Sequence, residues 1–382
     1  MPLSVAVLGC GRVGSAMVWD LAHEGEFSVV AVDGRKEALQ PFAGSAGIVT
    51  RLLDLSDPLA VRDAVVGVEW AIGAVPGFLG FQTLRAVLGA GVHCVDISFF
   101  AEDPGELDAL AKAKGVVAAV DCGVAPGLTN ILAGHMASRW HSFDRFVCGV
   151  GGLPQIRTLP WEYKAPFSPT DVLEIYTRPV RTIEGGRIVT RPPLVDVETL
   201  EFPGIGTVEA FPTDGLRTLL KNPLAPEMRE LTLRYPGHVS KIRFLRDLGL
   251  LSSQPVLLPG GPSVAPLEVT SAVLFSSWKF HPGEEDLTLF FAHGEGRLHG
   301  KQVSSRFFFL DRFDNATQTS SMARTTGYTA TAVLRYLTTH SSSLQPGILA
   351  PEKLGQDPKA FAFLKSCLKK RGIVFTEEHS ES

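Results

Sequence analysis

Short apolar runs alternate with amphipathic stretches between residues 1 and 122. The runs at 5–8, 28–32, 47–49, 70–75, 92–96 and 116–121 are rich in Val, Ile and Ala, as buried strands are. Segments with helical spacing lie between them, for example at 58–66, 78–89 and 105–114. Strands that alternate with helices form parallel sheets with crossovers on both faces, so we predict a doubly wound parallel sheet of the Rossmann type.

The pattern changes after residue 121. An apolar helix is predicted at 131–140, and residues 144–311 then show two-residue alternation with little helix. Strand-like runs lie at 145–150, 180–183, 187–190, 195–200, 206–211, 267–278, 286–293 and 303–310, and helices are predicted to start near 168, 213 and 236. These features predict an α+β domain with a mainly antiparallel sheet that is covered on one face.

The last part of the chain is helical again, at 322–339 and from Asp357-Pro358 through residue 370. Helices without strands of their own need a sheet to pack on, so we expect them to return to the first domain. We therefore predict a nucleotide-binding domain at 1–125 and 320–375, and a substrate-binding and dimerisation domain at 126–319. The polar tail at 376–382 is predicted to be frayed.

A glycine motif joins the first strand to the first helix. Gly9, Gly11 and Gly14 stand at the spacing of the dinucleotide-binding fingerprint, with Arg12 and Val13 between the last two. Such glycines allow a sharp turn, close approach of a pyrophosphate to the backbone, and tight packing of helix on strand. A structural glycine turn is the alternative interpretation.

Asp33 ends the second strand about twenty residues after the glycines, where a carboxylate accepts both ribose hydroxyls of NAD and repels a 2′-phosphate. We therefore predict NAD as the cofactor, although the neighbouring Arg35 is a residue type that serves NADP.

Ligands of such sheets bind outside the carboxyl ends of the strands. Asp54 is placed to meet the adenine ring or to be a solvated turn residue, and Val75-Pro76-Gly77 allow the nicotinamide ribose to pass closely or form a plain turn. Asp121 ends an apolar strand where nicotinamide and substrate should meet, and Asp96 has the same location. Either carboxylate is a candidate base or ammonium ligand, or a hydrogen-bonded strand end.

Composition narrows the function classes. At 382 residues, 45% of them hydrophobic and 20% charged, the chain has the make-up of a globular protein of about two or three domains. A net charge of −4 gives no basic surface for nucleic acid or anionic membrane. No apolar run reaches about 18 residues, and no leader precedes the first strand, so we expect a cytoplasmic protein. The five scattered cysteines indicate reduced thiols, and no metal-binding spacing is present.

Several motifs resemble the saccharopine dehydrogenase-like family. They are the glycine fingerprint, Gly73-Ala74-Val75-Pro76-Gly77-Phe78, the segments 95–99 and 121–127, Tyr163-Lys164, Ser168-Pro169, and the segments 176–179, 213–218 and 234–238. The later segments are most similar to the lysine 6-dehydrogenase branch of that family. The resemblance implies an NAD-dependent oxidation of the distal amine of an amino acid to an imine or semialdehyde, with release of ammonia. Alternatives are an imine reductase of the saccharopine or carboxynorspermidine dehydrogenase type, and a non-catalytic nucleotide sensor.

Such a reaction needs a base, a cation for the substrate carboxylate and an acceptor for its ammonium group. Arg234 and His238 are candidates for holding the carboxylate, and His238 is a third catalytic candidate beside Asp121 and Asp96. Asp214 and Arg217 form a second polar pair, and Tyr163 is placed to close over the site. Each has a structural alternative as a surface, capping or first-turn residue. The exposed sheet of the middle domain leads us to expect a homodimer or larger homo-oligomer.

Overall fold

Two β-sheets organise the chain in a computed structural model that describes residues 2–281 and 283–382. The strands are β1 Leu3–Leu8, β2 Phe27–Asp33, β3 Ile48–Leu52, β4 Trp70–Gly73, β5 His93–Asp96, β6 Val117–Ala119, β7 Ser142–Pro154, β8 Val180–Glu184, β9 Arg187–Arg191, β10 Glu198–Phe202, β11 Gly206–Thr213, β12 Glu227–Arg234, β13 Val256–Leu257, β14 Ser263–Val264, β15 Asp286–Leu298, β16 Lys301–Arg312, β17 Gly347–Leu349 and β18 Thr376–Glu381. The helices are α1 Arg12–His23, α2 Lys36–Leu39, α3 Pro58–Ala64, α4 Gly77–Gly89, α5 Asp108–Lys114, α6 Leu128–Arg139, α7 Pro169–Thr177, α8 His238–Asp247, α9 Pro266–Trp278, α10 Ser321–Thr339, α11 Pro351–Gln356 and α12 Pro358–Lys370.

The first sheet is parallel throughout, with strand order β17-β6-β5-β4-β1-β2-β3. Alternate residues of β1 pack on opposite faces: Val5 and Val7 face the core that α1 and α10 share, and Ala6 and Leu8 face the core of α3 and α4. Burial on both faces explains why the strands are continuously apolar. The predicted doubly wound sheet is confirmed.

The second sheet has strand order β10-β11-β12-β7-β15-β16-β18, with β8 and β9 joined to it through β12. All its pairs are antiparallel except β7 with β12, so the prediction of a mainly antiparallel sheet is confirmed. Its central strands are covered on both faces rather than one, because Phe146 and Phe290 pack in the core shared with α6 while Leu231 and Leu289 pack in the core shared with α7 and α9.

Two local predictions were wrong. Residues 267–278, predicted as a strand from their Val, Leu and Phe content, form α9, which starts with Pro266 at its first position and buries Leu274 and Trp278 one turn apart. The tail is not frayed: β18 pairs with β16, and Lys301 Nζ lies 2.7 Å from Glu381 Oε1. A polar strand suffices there because every residue of β18 is exposed at the sheet edge.

The C-terminal helices return to the first domain, as predicted. Arg335 of α10 donates from Nη1 to Asp20 Oδ2 of α1 at 2.7 Å, and Thr331 donates to the same oxygen at 2.5 Å. The segment after α10 also supplies β17 to the parallel sheet. None of the helices in the described residues has the length and apolarity that a membrane span requires.

Candidate functional site

A cavity of about 630 Å³ lies between the two sheets. One wall consists of the loops that follow the strands β1 to β6, and the other consists of α7 with parts of β7, β11 and β12. The carboxyl edge of the parallel sheet therefore faces the second sheet across this space, as expected for a ligand site of a doubly wound fold.

The glycine loop has the geometry that a dinucleotide requires. Gly9 has φ of +97° and donates its N–H to Val32 O at 2.8 Å. A Cβ on Gly14 would lie 1.8 Å from Gly9 O, whereas a Cβ on Gly11 would meet nothing within 4 Å and would instead occupy the approach to the loop. These three glycines line the cavity together with Arg12 and Val13, and the first turn of α1 directs its unpaired N–H groups there. The loop thus fits a pyrophosphate.

The end of the cavity where the sequence predicts the adenosine is polar. Asp33 accepts the backbone N–H of Cys10 at 2.9 Å on Oδ2, and on Oδ1 it accepts the N–H of Arg35 at 2.8 Å and that residue's Nε at 3.3 Å. Asp54 also lines this end, and two hydrogen bonds from Ser56 lower the pKa of its exposed carboxyl. Asp33 ends β2 and Asp54 follows β3, so both carboxylates line the cavity at the carboxyl ends of their strands.

The end of the cavity where the sequence predicts the nicotinamide is bounded by Val75, Pro76 and the turn at 123–126. Gly77 opens α4 and does not line the cavity. A Cβ there would lie 2.4 Å from Phe99 O, so this glycine allows the segment after β5 to approach α4 closely.

The strongest carboxylate candidates lie behind the cavity wall. Asp121 Oδ1 accepts Arg217 Nε at 3.1 Å, and Arg217 Nη1 donates to Phe100 O at 2.7 Å. Asp96 accepts the N–H of Ser98 at 2.8 Å, and burial raises the pKa of its carboxyl well above the usual range. Asp121, Asp96 and Arg217 are buried and do not line the cavity. Asp121 and Arg217 therefore bind each other and do not face the open cavity.

Arg234 does line the cavity, although it is only 2% exposed. Its Nε donates to the Tyr176 hydroxyl at 3.0 Å, its Nη1 to Leu233 O at 2.9 Å, and its Nη2 to the Tyr163 hydroxyl at 3.5 Å. The guanidinium also lies 4.5 Å from the centroid of the Tyr163 ring. Tyr163 thus supports Arg234 and does not itself close over the cavity. No carboxylate forms an ion pair with Arg234 within residues 2–281 and 283–382.

His238 lies behind Tyr176. Its Nδ1 is 3.3 Å from Trp161 O, which only accepts, so this nitrogen carries the proton, and its Nε2 accepts from the Tyr176 hydroxyl at 2.9 Å. Burial, reinforced by the Arg234 charge, lowers the pKa of His238 to about 3. The neutral ring therefore orients Tyr176, whose oxygen in turn holds Arg234, and the structure places His238 one layer away from the cavity.

Asp214 and Glu230 line the part of the second-sheet wall that β11 and β12 form. Asp214 is held by Arg181 through two side-chain bonds, at 2.8 Å from Nε and 2.7 Å from Nη2, so its charge is compensated. Glu230, which the sequence analysis missed, is 3% exposed and accepts the Thr213 hydroxyl. Burial raises the pKa of Glu230 to about 7. Its position two residues along a strand from Thr232 and four from Arg234 is the signal that places all three on one face.

A face of α7 supplies further residues that the sequence analysis treated only as a helix start. Ser168, Asp171, Ile175 and Arg178 line the cavity, at the spacing of one helix face. Ser168 caps the helix by accepting the N–H of Asp171 at 3.4 Å. In the sequence, polar residues three or four positions apart after a helix cap are the signal that one face of the helix is turned to a polar site.

Comparison with known proteins matches nearly the whole chain. Residues 5–119 match the family model described as the saccharopine dehydrogenase NADP binding domain, and residues 123–373 match the model described as the saccharopine dehydrogenase C-terminal domain. The solved structure of apo saccharopine dehydrogenase (L-Glu forming) from Saccharomyces cerevisiae aligns with a TM-score of 0.79, covering 99% of this chain and 100% of that one at 18% identity. This likeness shows a shared fold.

Two relatives of known name match this chain over only part of their length. Saccharopine dehydrogenase [NADP(+), L-glutamate-forming] of Schizosaccharomyces pombe is 25% identical over 287 residues, which are 71% of this chain and 64% of the relative. Carboxynorspermidine synthase of Vibrio cholerae is 26% identical over 261 residues, 65% of this chain and 60% of the relative. The chain thus covers less than two thirds of the length of these relatives.

Proposed function

The chain belongs to the saccharopine dehydrogenase family, and from this premise we propose that it is a nicotinamide-dependent oxidoreductase acting at a carbon–nitrogen bond of an amino acid. The observation that carries the proposal is Arg234. This buried cation lines the same cavity as the dinucleotide loop and has no carboxylate partner in the described part of the chain. A buried charge of that kind is stable only when it is paired, and a substrate carboxylate supplies the pair.

The glycine loop and Asp33 would hold the cofactor, which would supply a hydride acceptor or donor to the substrate. We propose NAD, because Asp33 lines the cavity at the end of β2, and a carboxylate at that position of a Rossmann fold accepts from the ribose diol and repels a 2′-phosphate. The family model and the S. pombe relative carry NADP in their names, and Arg35 is the residue in this chain that suits it. Comparison of the two cofactors tests this point directly.

Two substrate types fit a carboxylate held by Arg234. The similarity of the later segments to lysine 6-dehydrogenases favours oxidation of the distal primary amine of an amino acid. The names of the curated relatives favour a secondary amine that is formed by reduction of an imine. Both reactions exchange a hydride at the carbon next to nitrogen, so they share the same requirements from the protein.

The test is to incubate the protein with NAD or NADP and either L-lysine or saccharopine, and to follow the absorbance of the reduced cofactor. Cadaverine, which is lysine without its carboxylate, is the control that isolates the role of Arg234. We expect turnover of at least one amino acid and a much lower kcat/KM for cadaverine than for lysine. Binding of the reduced cofactor without turnover of any amine would instead support a nucleotide sensor.

A further inference from the structure

The carboxylates on the substrate side of the cavity differ in whether an ion pair or a hydrogen bond offsets their charge. Asp214 is paired with Arg181, and Glu174 is paired with Arg178. Glu230 accepts the Thr213 hydroxyl. Asp171 differs, since its carboxylate forms no ion pair with the residues that the structure describes and meets only the Ser168 hydroxyl and the N–H of Gly77. It is 9% exposed, and its Oδ1 is buried without a hydrogen-bond partner.

Asp171 belongs to the second domain but lies against the cofactor side of the cavity. A Cβ built on Gly77 would be 3.3 Å from Asp171 Oδ1. Gly77 directly follows Pro76, which bounds the nicotinamide end. The carboxylate therefore reaches the region where the reacting carbon of a substrate would meet the cofactor. The reacting nitrogen is bonded to that carbon, so it lies within reach of Asp171 as well.

The environment of Asp171 suits proton transfer. Burial, with a contribution from the charge of Glu174, raises the pKa of Asp171 to about 6. The N–H of Gly77, the Ser168 hydroxyl and the charge of Arg178 oppose this shift. Glu230, Arg234 and the Asp214–Arg181 pair are the charged groups that β8, β11 and β12 place near the cavity. A carboxylate whose pKa is near the working pH accepts and returns protons effectively.

We propose that Asp171 binds the reacting amine of the substrate and takes its proton during oxidation. This inference rests on the proposed function. The N–H bond breaks and its proton passes to the Asp171 carboxylate. The nitrogen electron pair forms the C=N bond while the adjacent carbon gives its hydride to the oxidised nicotinamide. In the reverse direction, protonated Asp171 returns the proton to nitrogen.

The geometry favours Asp171 over the other carboxylates. Asp121 is bound by Arg217, and neither it nor Asp96 lines the cavity. Asp214 is bound by Arg181 on both oxygens. A substrate ammonium that meets Asp171 gains a charge-assisted hydrogen bond and relieves a buried, unpartnered oxygen.

The test compares Asp171→Asn and Asp171→Glu with the wild type on the amine that the wild type oxidises. Asp247→Asn is the matched control, because Asp247 is an exposed aspartate on α8, away from the cavity. Steady-state kinetics are measured between pH 5 and about 9, a range that spans the ordinary titration of carboxyl and imidazole groups. Fluorescence titration with reduced nicotinamide cofactor gives its Kd without requiring turnover.

We expect Asp171→Asn to lower kcat by about 10² to 10⁴, the usual range for loss of a general base, while the cofactor Kd changes less than about twofold. The wild-type oxidation rate should fall as the pH drops through about 6, and this acid limb should vanish in Asp171→Asn and persist in Asp171→Glu. Asp247→Asn should match the wild type.

Wild-type turnover combined with unchanged kcat and an unchanged acid limb in Asp171→Asn would overturn the inference alone. Weakened cofactor binding with normal kcat would also overturn it and would assign Asp171 to the cofactor. Absence of wild-type turnover on every amine contradicts the proposed function and the inference together. Intact cofactor binding by Asp171→Asn shows that the variant is folded.

Discussion

Asp121 of the first domain and Arg217 of the second bind each other across the domain boundary, with 3.1 Å between Oδ1 and Nε. Both side chains are almost fully buried, and both residues have a left-handed backbone with φ of 52°. The two residues were predicted separately, one as a base and the other as a substrate ligand. Their pairing indicates that they fix one domain against the other at the back of the cavity.

Replacing Arg217 with Met should destabilise the protein strongly, because it leaves the Asp121 carboxylate buried without its partner. We expect a loss of about 3 to 5 kcal/mol in the free energy of unfolding, measured by urea titration. Lys221→Met is the control, since Lys221 forms a half-exposed ion pair with Asp103 and should contribute no more than about 1 kcal/mol. Equal effects of the two variants would contradict a structural role for the buried pair.

Replacing Arg234 with Lys should weaken substrate binding selectively. Lysine lacks the planar fork that bonds Tyr176 and Tyr163 while facing the cavity. Loss of a charged hydrogen bond costs about 1.5 to 3 kcal/mol, so KM for the amino acid should rise about 10-fold to 100-fold. The Kd of the reduced cofactor should not change. The same KM increase with cadaverine would show that Arg234 does not hold the carboxylate.

His238 should make stability depend on pH. Its folded pKa, about 3, lies below the ordinary value of about 6.5, so the unfolded chain binds the extra proton between these values. The contribution of His238 to the free energy of unfolding is therefore fully present above pH 6.5 and declines as the pH falls, by up to about 1.4 kcal/mol per pH unit. Chemical denaturation of wild type and His238→Gln at several pH values gives the difference in slope.

The pH dependence of stability expected from His238 has the opposite sign to that expected from the buried carboxyl groups. Asp171 and Glu230 have raised pKa values, so their contributions to stability increase as the pH falls. They are common to both proteins and cancel in the comparison. Parallel pH profiles of the wild type and His238→Gln would show that His238 is not buried in its neutral form.

Replacing Asp33 with Ser should shift the cofactor preference. The variant loses the acceptor of the ribose diol and the negative charge that repels a 2′-phosphate, while Arg35 remains. We expect KM for NAD to rise by about 10-fold or more, the equivalent of about 1.4 kcal/mol, and KM for NADP to fall. The ratio of kcat/KM for the two cofactors measures the shift. A wild type that already prefers NADP would contradict the NAD prediction.

The cofactor half of the site was predictable from the sequence because its physics is local. Gly9, Gly11 and Gly14 act through their own backbone, and Asp33 follows at a fixed distance along one βαβ unit. The parallel sheet was predictable for a similar reason, since each strand and helix shows its own periodicity. The error at α9 arose where both helix faces are apolar, so that composition replaced periodicity as the signal.

The substrate half depends on pairings between distant segments, which no local pattern reports. Arg217 and Asp121 are 96 residues apart, and the chain of contacts from Arg234 through Tyr176 to His238 joins β12, α7 and α8. Arg234 was recognisable as a candidate from the resemblance, but the assignment of His238 to a supporting layer needed the fold. Asp171 was hidden because Ser168-Pro169 fully explains a helix start without reference to a ligand.

The position of β17 has a consequence for synthesis. This strand completes the edge of the parallel sheet beside β6, yet it is translated only after the entire second sheet except β18. In the nascent chain, the sheet edge at Val117 therefore stays uncovered until Gly347 has been made. Because domains generally fold as units during translation, the nucleotide-binding half of this protein should stay incomplete on the ribosome until all of the second sheet except β18 has been made, with an uncovered edge available to chaperones until then.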